Sequence, residues 1–383
     1  MSAIAFISTM FGETWGGSEQ LWGAAAHSLR NRGNRVGAGV NYWPGPKPEL
    51  DALQAAGCRV HVREYVPRLP ARLLNRFLSP SRKILPRNSR HDWLRGFRPD
   101  LVVVCQNTTE NGLEIMEMCK QEGWRYGTVV QWACEYSWPD DARAVRLRAV
   151  YRGACAAFFV SQHNLKLAEK QIGAPIPRGE IVWNPFRVNY LQSLPWPDER
   201  RGLSLACVGR LQPASKGQDI LLRVLSQRKW QERPVKVTFF GKGVNRCSLE
   251  ELAKRLRVHN LQFGGFIPNV SSIWQDHHAL VLASRSEGLP IVLLESSLCG
   301  RPAICTSVAG VPEIIEDNVT GFLAKAPEVD LFDAALERAW QARDHWREMG
   351  LSAALRVRSL VPEKPEECFA QRCLDLCLPT PEV

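Results

Sequence analysis

The sequence predicts an α/β protein of two Rossmann-like domains facing a central cleft. Three observations carry this. Short apolar runs alternate with helical patterns along nearly the whole chain, as parallel sheets with crossover helices require. A proline-crowded stretch, Leu194–Arg201 (LPWPDERR), interrupts the alternation and marks a linker. The two halves also open alike, each with a buried strand, a Gly- or Pro-rich loop and a helix: AIAFIS…GGSEQLWGAAAHSL and LSLACVG…KGQDILLRVL. At ~150 residues per domain the chain of 383 has room for two or three domains, each able to bury its own core.

In the first half the strand candidates are Ala3–Ser8, Arg35–Val40, Cys58–Val62, Leu101–Cys105, Tyr126–Val130 and Ala156–Val160. Each is a short, mainly apolar run, as strands covered on both faces are. Helical stretches such as Ser18–Arg32, Gly112–Glu122 and Asp140–Tyr151 separate them. Beyond the linker, strands restart at Leu203–Val208, Val235–Phe240, Leu280–Ala283 and Ala303–Thr306. The expected division is a first domain over 1–195, a second over 196–362 and a terminal segment, 363–383. Its helix, Glu363–Cys377, is expected to pack back on the first domain.

With 45% hydrophobic and 23% charged residues, the composition excludes disordered, collagenous and fibrous classes. No apolar run reaches the ~18–20 residues of a membrane-spanning helix. MSAIAFISTM lacks a basic lead-in and a small-residue cleavage site, so it reads as a buried strand rather than a signal peptide. The 12 cysteines therefore point to a reducing cytoplasm, and none forms a Cys-x-x-Cys pair. Cys368, Cys373 and Cys377 fit one face of the terminal helix as packing residues, and no metal is expected there. The net charge is +10, of which residues 1–195 carry 9 and residues 196–383 carry 1. The excess concentrates in 65–98, where nine basic residues meet one acid, Asp92. That stretch mixes Arg with Leu, Phe and Ile. It reads either as a solvated loop with a short helix or as a surface for an anionic membrane at its inner face. Nucleic acid is not expected, since no reader module accompanies the charge.

Two motifs in the second half carry chemistry. After the strand at 203–208 come Gly209-Arg210 and then Lys216-Gly217 at the mouth of a helix. Arg210 offers a planar fork for phosphate oxygens and Lys216 a point charge. The helix start adds roughly half a positive charge in the same direction. Together they read as a diphosphate clamp. The second motif is Glu287-Gly288-Leu289-Pro290 with Glu295, where Pro290 suits a first helical position. Glu295 lies ~7.5 Å further along the axis, so the two carboxylates can take hydroxyls from separate rings of an extended ligand. Each acid alone also fits a cap or a solvated face. Neither half contains Gly-x-Gly-x-x-Gly followed by an acid about twenty residues on, which disfavours a nicotinamide dehydrogenase.

These stretches resemble glycosyltransferase family 4, retaining enzymes of the GT-B fold. The matching residues are GRLQPASKGQD at 209–219, FGKG at 240–243, EGLPIVLLE at 287–295 and GVPEII…GFL to 323. In the first half they thin to GGSE at 16–19, VSQHN at 160–164 and WNPF at 183–186. The resemblance implies transfer of a sugar from a nucleoside-diphosphate donor to a saccharide or glycolipid acceptor, without a divalent metal or other cofactor. Arg210 and Lys216 would hold the diphosphate, with Gly209 and Gly241 in the adjoining turns. Glu287 would meet the sugar hydroxyls, Gly288, Leu289 and Pro290 would line the pocket, and Glu295 would bind the ribose. Gly16 and Gly17 would let a loop approach both ligands. Two rivals share the ligand: a nucleotide-sugar 2-epimerase, and a non-catalytic sugar-nucleotide-binding protein.

The sequence departs from the family at the end of the fifth strand. Members often carry a His there, whereas VVQWACEYSWPDD offers Gln131, Trp132 and Glu135. Gln131 is a replacement donor and Glu135 an acceptor contact, and sequence does not choose between them. His163 fits an acceptor or phosphate contact and fits a capping residue as well. His277 and His278 precede a buried strand and read as structural. Trp15, Trp43, Trp132 and Trp138 follow first-domain strands, so they are expected on the cleft edge, with flat faces suited to sugar rings.

Overall fold

The computed structural model describes residues 1–10, 15–63, 89–200 and 202–378. Most of the basic 65–98 stretch therefore lies outside the described residues. Two of its described arginines are engaged within the protein: Arg90 is buried against Asn41 (3.0 Å), and Arg95 chelates Glu122 (2.9 and 3.0 Å).

Among the described residues, thirteen strands form two sheets. The first holds β1 (Ala3–Ser8), β2 (Arg35–Asn41), β3 (Arg59–Arg63), β4 (Leu101–Gln106), β5 (Tyr126–Val130), β6 (Ala156–Phe159) and β7 (Gly179–Ile181) in the order β3-β2-β1-β4-β5-β6-β7. The second holds β8 (Leu203–Val208), β9 (Val235–Phe240), β10 (Leu261–Gly265), β11 (Ala279–Leu282), β12 (Ala303–Thr306) and β13 (Gly321–Ala324) in the order β10-β9-β8-β11-β12-β13. All the pairings are parallel. The shared opening of the two halves is thus a shared topology, and in each sheet the order reverses beside the first strand.

Every residue of β1 and β4 is buried, because helices cover both faces of the sheet. Two first-lobe helices start where the sequence supplies a cap. Ser161 Oγ accepts the Asn164 amide at 3.2 Å to open Gln162–Ile172, which closes on Gly173 in the left-handed region, φ 65°. Asp140 opens Asp141–Gly153 in the same way at 2.7 Å.

The strands absent from the sequence reading, β7, β10 and β13, all lie at sheet edges. Three to five residues long, and half-buried in β7 and β10, they lack the apolar run by which a central strand announces itself.

Beyond β7, ahead of the proline-rich stretch, Trp183, Phe186, Val188 and Tyr190 already pack on the core of the second sheet. The chain returns at its end. Helix Pro365–Asp375 lies along helix Gly17–Asn31 and inserts Phe369 against Phe6 (6.4 Å) and edge-on to Phe158 (5.2 Å). Burying a side chain of that size contributes roughly 1.5–3 kcal/mol. Glu367 with Ser28 and Arg32, and Arg372 with Glu180 (2.7 and 2.9 Å), fix its register. Cys373 lies in this core, while Cys368 is exposed.

Candidate active site

A cavity of about 760 Å³ opens between the carboxyl ends of the two sheets. The residues after β8 and β11 and the start of helix Ile291–Leu298 line one wall. The residues after β1, β4, β5 and β7 line the other.

On the second-lobe wall the two motifs meet. Lys216 Nζ stands 2.7 Å from both oxygens of Glu287, and Ser284 Oγ donates to Glu287 Oε1 at 2.7 Å. Glycine permits this meeting. Gly217 has φ +62°, and a Cβ on it would lie 1.8 Å from the Ala283 carbonyl oxygen. The loop before it is braced by Arg285, which chelates Asp219 at 2.6 and 2.8 Å and donates to the Pro213 carbonyl at 2.7 Å. Arg210 is exposed and lines the cavity. Gly209 was expected in a tight turn, but it lies outside the left-handed region, and a Cβ there would only touch the Lys216 stem at 3.6 Å. The constrained glycine is Gly241, φ +134°, whose Cβ would fall 2.0 Å from the Gly209 carbonyl oxygen. It braces the clamp loop from behind and does not line the cavity.

Glu287 and Glu295 are both buried, which removes the solvated-face reading of either. Glu295 accepts the Arg187 amide at 3.0 Å, and burial pushes its carboxyl up to about 7. Pro290 is the N-cap of helix Ile291–Leu298, and no side chain caps it. Helix Gly17–Asn31 likewise starts at Gly16 without a side-chain cap. The two starts abut, since a Cβ on Gly17 would lie 3.6 Å from Ile291 Cδ1. Two sets of helix-start amides, each equivalent to roughly half a positive charge, therefore border the cavity that Arg210 and Lys216 line. Gly16 itself is set back from the cavity, against Met10. Its neighbour Glu19 is buried and bonded to Ser18, Ser8 (2.7 Å) and Trp22 (3.4 Å), and burial raises its carboxyl above the usual range.

The first-lobe candidates separate. Gln131 and Trp132 line the cavity, and Trp132 Nε1 donates across it to Ser286 Oγ at 2.5 Å. Trp15 does not reach it. Its ring fills the space above Gly23, 4.9 Å from Trp22. Trp43 is buried in the first core. Trp138 is exposed beside Tyr136 outside the cavity, and its Nε1 donates to the Glu135 carbonyl at 2.9 Å. Glu135 pairs with His163 Nε2 at 3.1 Å. His277 and His278 are buried in hydrogen bonds to Ile273 and Ser204, and burial lowers both.

Sequence reasoning gave no role to Asn184, Arg187, Ser286 or Glu313. Asn184 was visible only inside WNPF. Glu313 sits in the second lobe, yet its carboxylate accepts the Gln162 and His163 amides at the first lobe's helix start, 3.1 and 2.9 Å.

Two doubly wound lobes sharing a cleft at their strand ends define the GT-B architecture. Residues 197–355 match the family described as glycosyl transferases group 1, so the likeness to glycosyltransferase family 4 carried by 203–325 is borne out. Among relatives, the chain is 34% identical over 95 residues to N-acetyl-alpha-D-glucosaminyl L-malate synthase of Bacillus anthracis, covering 24% of this chain and 25% of that one. It is 29% identical over 212 residues to the GDP-mannose-dependent alpha-(1-6)-phosphatidylinositol monomannoside mannosyltransferase of Mycolicibacterium smegmatis, covering 50% and 54%. The matches thus span about a quarter to half the length of these relatives. Among solved structures, Anabaena Alr3699/HepE in complex with UDP superposes with a TM-score of 0.74 at 16% identity, covering 97% and 99% of the two chains. At that identity it is the fold that is shared.

Proposed function

We propose that this protein is a retaining, metal-independent glycosyltransferase, moving a sugar from a nucleoside-diphosphate sugar to a saccharide or glycolipid acceptor. One observation carries the reading: Arg210, Lys216 and two uncapped helix starts converge on a cavity into which Glu287 and Glu295 are also built. Relatives and neighbours named for GDP-mannose, UDP and UDP-glucose support a nucleoside-diphosphate donor.

As the bond from anomeric carbon to diphosphate breaks, negative charge gathers on the departing oxygen. Cations and helix starts already in place stabilise that charge more in the transition state than in the ground state. An ammonium group has three donors, so Lys216 can hold Glu287 and still give one to a phosphate oxygen. Glu287, held by Lys216 and Ser284, is a fixed acceptor for sugar hydroxyls. Glu295, at the side of the cavity near Arg187, is the acceptor for the ribose. Retention and metal independence follow the family resemblance. A glycolipid acceptor would bring the protein to the inner face of the cytoplasmic membrane, with 65–98 as the contact.

A thermal-shift screen of nucleoside diphosphates and their sugars identifies the donor, because a ligand that binds only the native state raises its melting temperature. Transfer is then followed with and without acceptor and with EDTA. A 2-epimerase would consume donor alone. Free nucleoside diphosphate released only with acceptor, an α-linked product from an α-linked donor, and unchanged turnover in EDTA are the expected results. Donor binding with neither transfer nor slow donor hydrolysis would overturn the enzymatic reading.

A further inference from the structure

Met10 lines the first-lobe wall of the cavity, and buried side chains hold both polar groups of its backbone. Its amide donates to Ser8 Oγ at 3.1 Å, and Ser8 Oγ donates in turn to Glu19 Oε1 at 2.7 Å. Its carbonyl oxygen accepts Asn41 Nδ2 at 2.7 Å, and Asn41 Oδ1 accepts the Arg90 guanidinium at 3.0 Å. A relay of hydrogen bonds thus runs from a guanidinium to a carboxyl through one residue of the cavity wall. Every donor in it points the same way, from Arg90 toward Glu19. The Asn41 amide fits in one sense only, since it meets a carbonyl at one end and a guanidinium at the other. Hydrogen bonds in such a series polarise and strengthen one another.

The two ends of the relay are unusual. Glu19 and Arg90 are buried, at 4% and 3% exposure. Glu19 is bonded to two hydroxyls and an indole, and Arg90 to an amide. Among the described residues neither meets an opposite charge directly. A buried ionisable group is costly unless it is paired. Here the pairing runs through Met10, from helix Ser89–Phe97 to helix Gly17–Asn31. Ser18, which also donates to Glu19, lines the cavity as well.

The phosphate clamp and both acids occupy the second-lobe wall, so the wall that includes Met10 is left to the acceptor. We infer that Glu19 and Arg90, acting through Ser8 and Asn41, are positioning residues for transfer: they fix the Met10 backbone so that the acceptor lies at attacking distance from the anomeric carbon. Neither lines the cavity. A misplacement of about 1 Å in such a wall costs on the order of a hundredfold in rate. The inference rests on the donor reading above.

The test uses Ser8→Ala and Asn41→Asp. Ser8→Ala removes the link between Glu19 and the Met10 amide. Asn41→Asp keeps an oxygen for Arg90 and gives it a charged partner, while removing the NH2 that holds the Met10 carbonyl. Release of UDP from UDP-glucose and of GDP from GDP-mannose is followed with a panel of p-nitrophenyl glycosides, and with water alone, as acceptor. Each variant is expected to lose at least about tenfold in kcat, with donor KM within about twofold of wild type. Asn41→Asp should melt no lower than wild type. The double variant should fall no more than about threefold below the slower single, because both changes release the same residue, whereas the effects of unrelated sites multiply. Glu19→Gln keeps an oxygen for Ser8 and should stay within about threefold of wild type. Wild-type kcat in both single variants, losses that multiply in the double, or a rise in donor KM as large as the fall in kcat overturns the inference and leaves the donor reading standing. Wild type that neither binds nor releases UDP or GDP overturns the donor reading and this inference with it. Should Ser8→Ala fail to fold, Asn41→Asp decides alone, and wild-type kcat in it overturns the inference.

Discussion

Lys216 Nζ sits 2.7 Å from each oxygen of Glu287, joining the proposed phosphate clamp to the proposed sugar acceptor. Glu287 is buried, so removing the lysine leaves an uncompensated carboxylate in the wall. Lys216→Ala is expected to lose at least a hundredfold in turnover, matching the roughly 3–4 kcal/mol that one oriented donor supplies to a developing oxyanion. It should also lower the melting temperature. Arg210→Ala, at an exposed position, should lose similar turnover with melting unchanged. Turnover close to wild type in either variant would remove the clamp.

Glu295 gives the protein a pH signature. Burial lifts its carboxyl from the usual 4.5 to about 7. A carboxyl raised on folding holds its proton more tightly in the native state, so its share of stability is complete below 4.5 and lost as pH climbs through 7. The loss is on the order of 3 kcal/mol. Denaturant titrations of wild type between about pH 5 and 8 should show this decline, and Glu295→Gln should flatten it. Equal slopes would place the carboxyl in its ordinary range.

Gly288 sits where the lobes touch. A methyl group there would stand 2.0 Å from the Gln131 carbonyl oxygen and 3.0 Å from Val160 Cγ2. Gly288→Ala should push the lobes apart without unfolding either. Small-angle scattering should show a larger radius of gyration, and donor turnover should drop at least tenfold. An unchanged radius would show that the turn relaxes locally.

Glu313 caps a helix in the other lobe by accepting the Gln162 and His163 amides. Glu313→Ala should cost about 1 kcal/mol, as lost caps do, in denaturant unfolding. The same variant should open the cleft in scattering. A stability loss with no opening would make the contact a cap only.

Trp138 and Tyr136 are exposed and lie a few residues after Trp132, which lines the cavity. If they seat the acceptor, Trp138→Ala raises the acceptor KM several-fold and leaves the donor KM alone. Equal changes in both would deny them that role.

The central strands of both sheets were legible because burial on two faces forces an unbroken apolar run, as in Ala3–Ser8 and Ala303–Thr306. The two second-lobe motifs, around Lys216 and around Glu287, were legible because they are local, each confined to a strand end and the helix after it. Three of the four edge strands, β7, β10 and β13, were not, since one open side relaxes the demand for apolar residues. Nor were the fates of the tryptophans. Trp15, Trp43 and Trp138 all follow strands, yet one packs on Gly23, one is buried and one is in solvent.

The chain's residue order was enough to determine two repeated α/β lobes, a cleft at their strand ends, and the chemistry of the second lobe's wall. Only the folded arrangement decided that Lys216 holds Glu287, that Gly288 rather than Gly209 is sterically required, and that Gln131 meets Asn184. Those pairings join residues 53 to 157 positions apart in the chain, by the numbers of the residues involved. Local propensity acts over a few residues, whereas such contacts are set by how two sheets twist and where their loops come together.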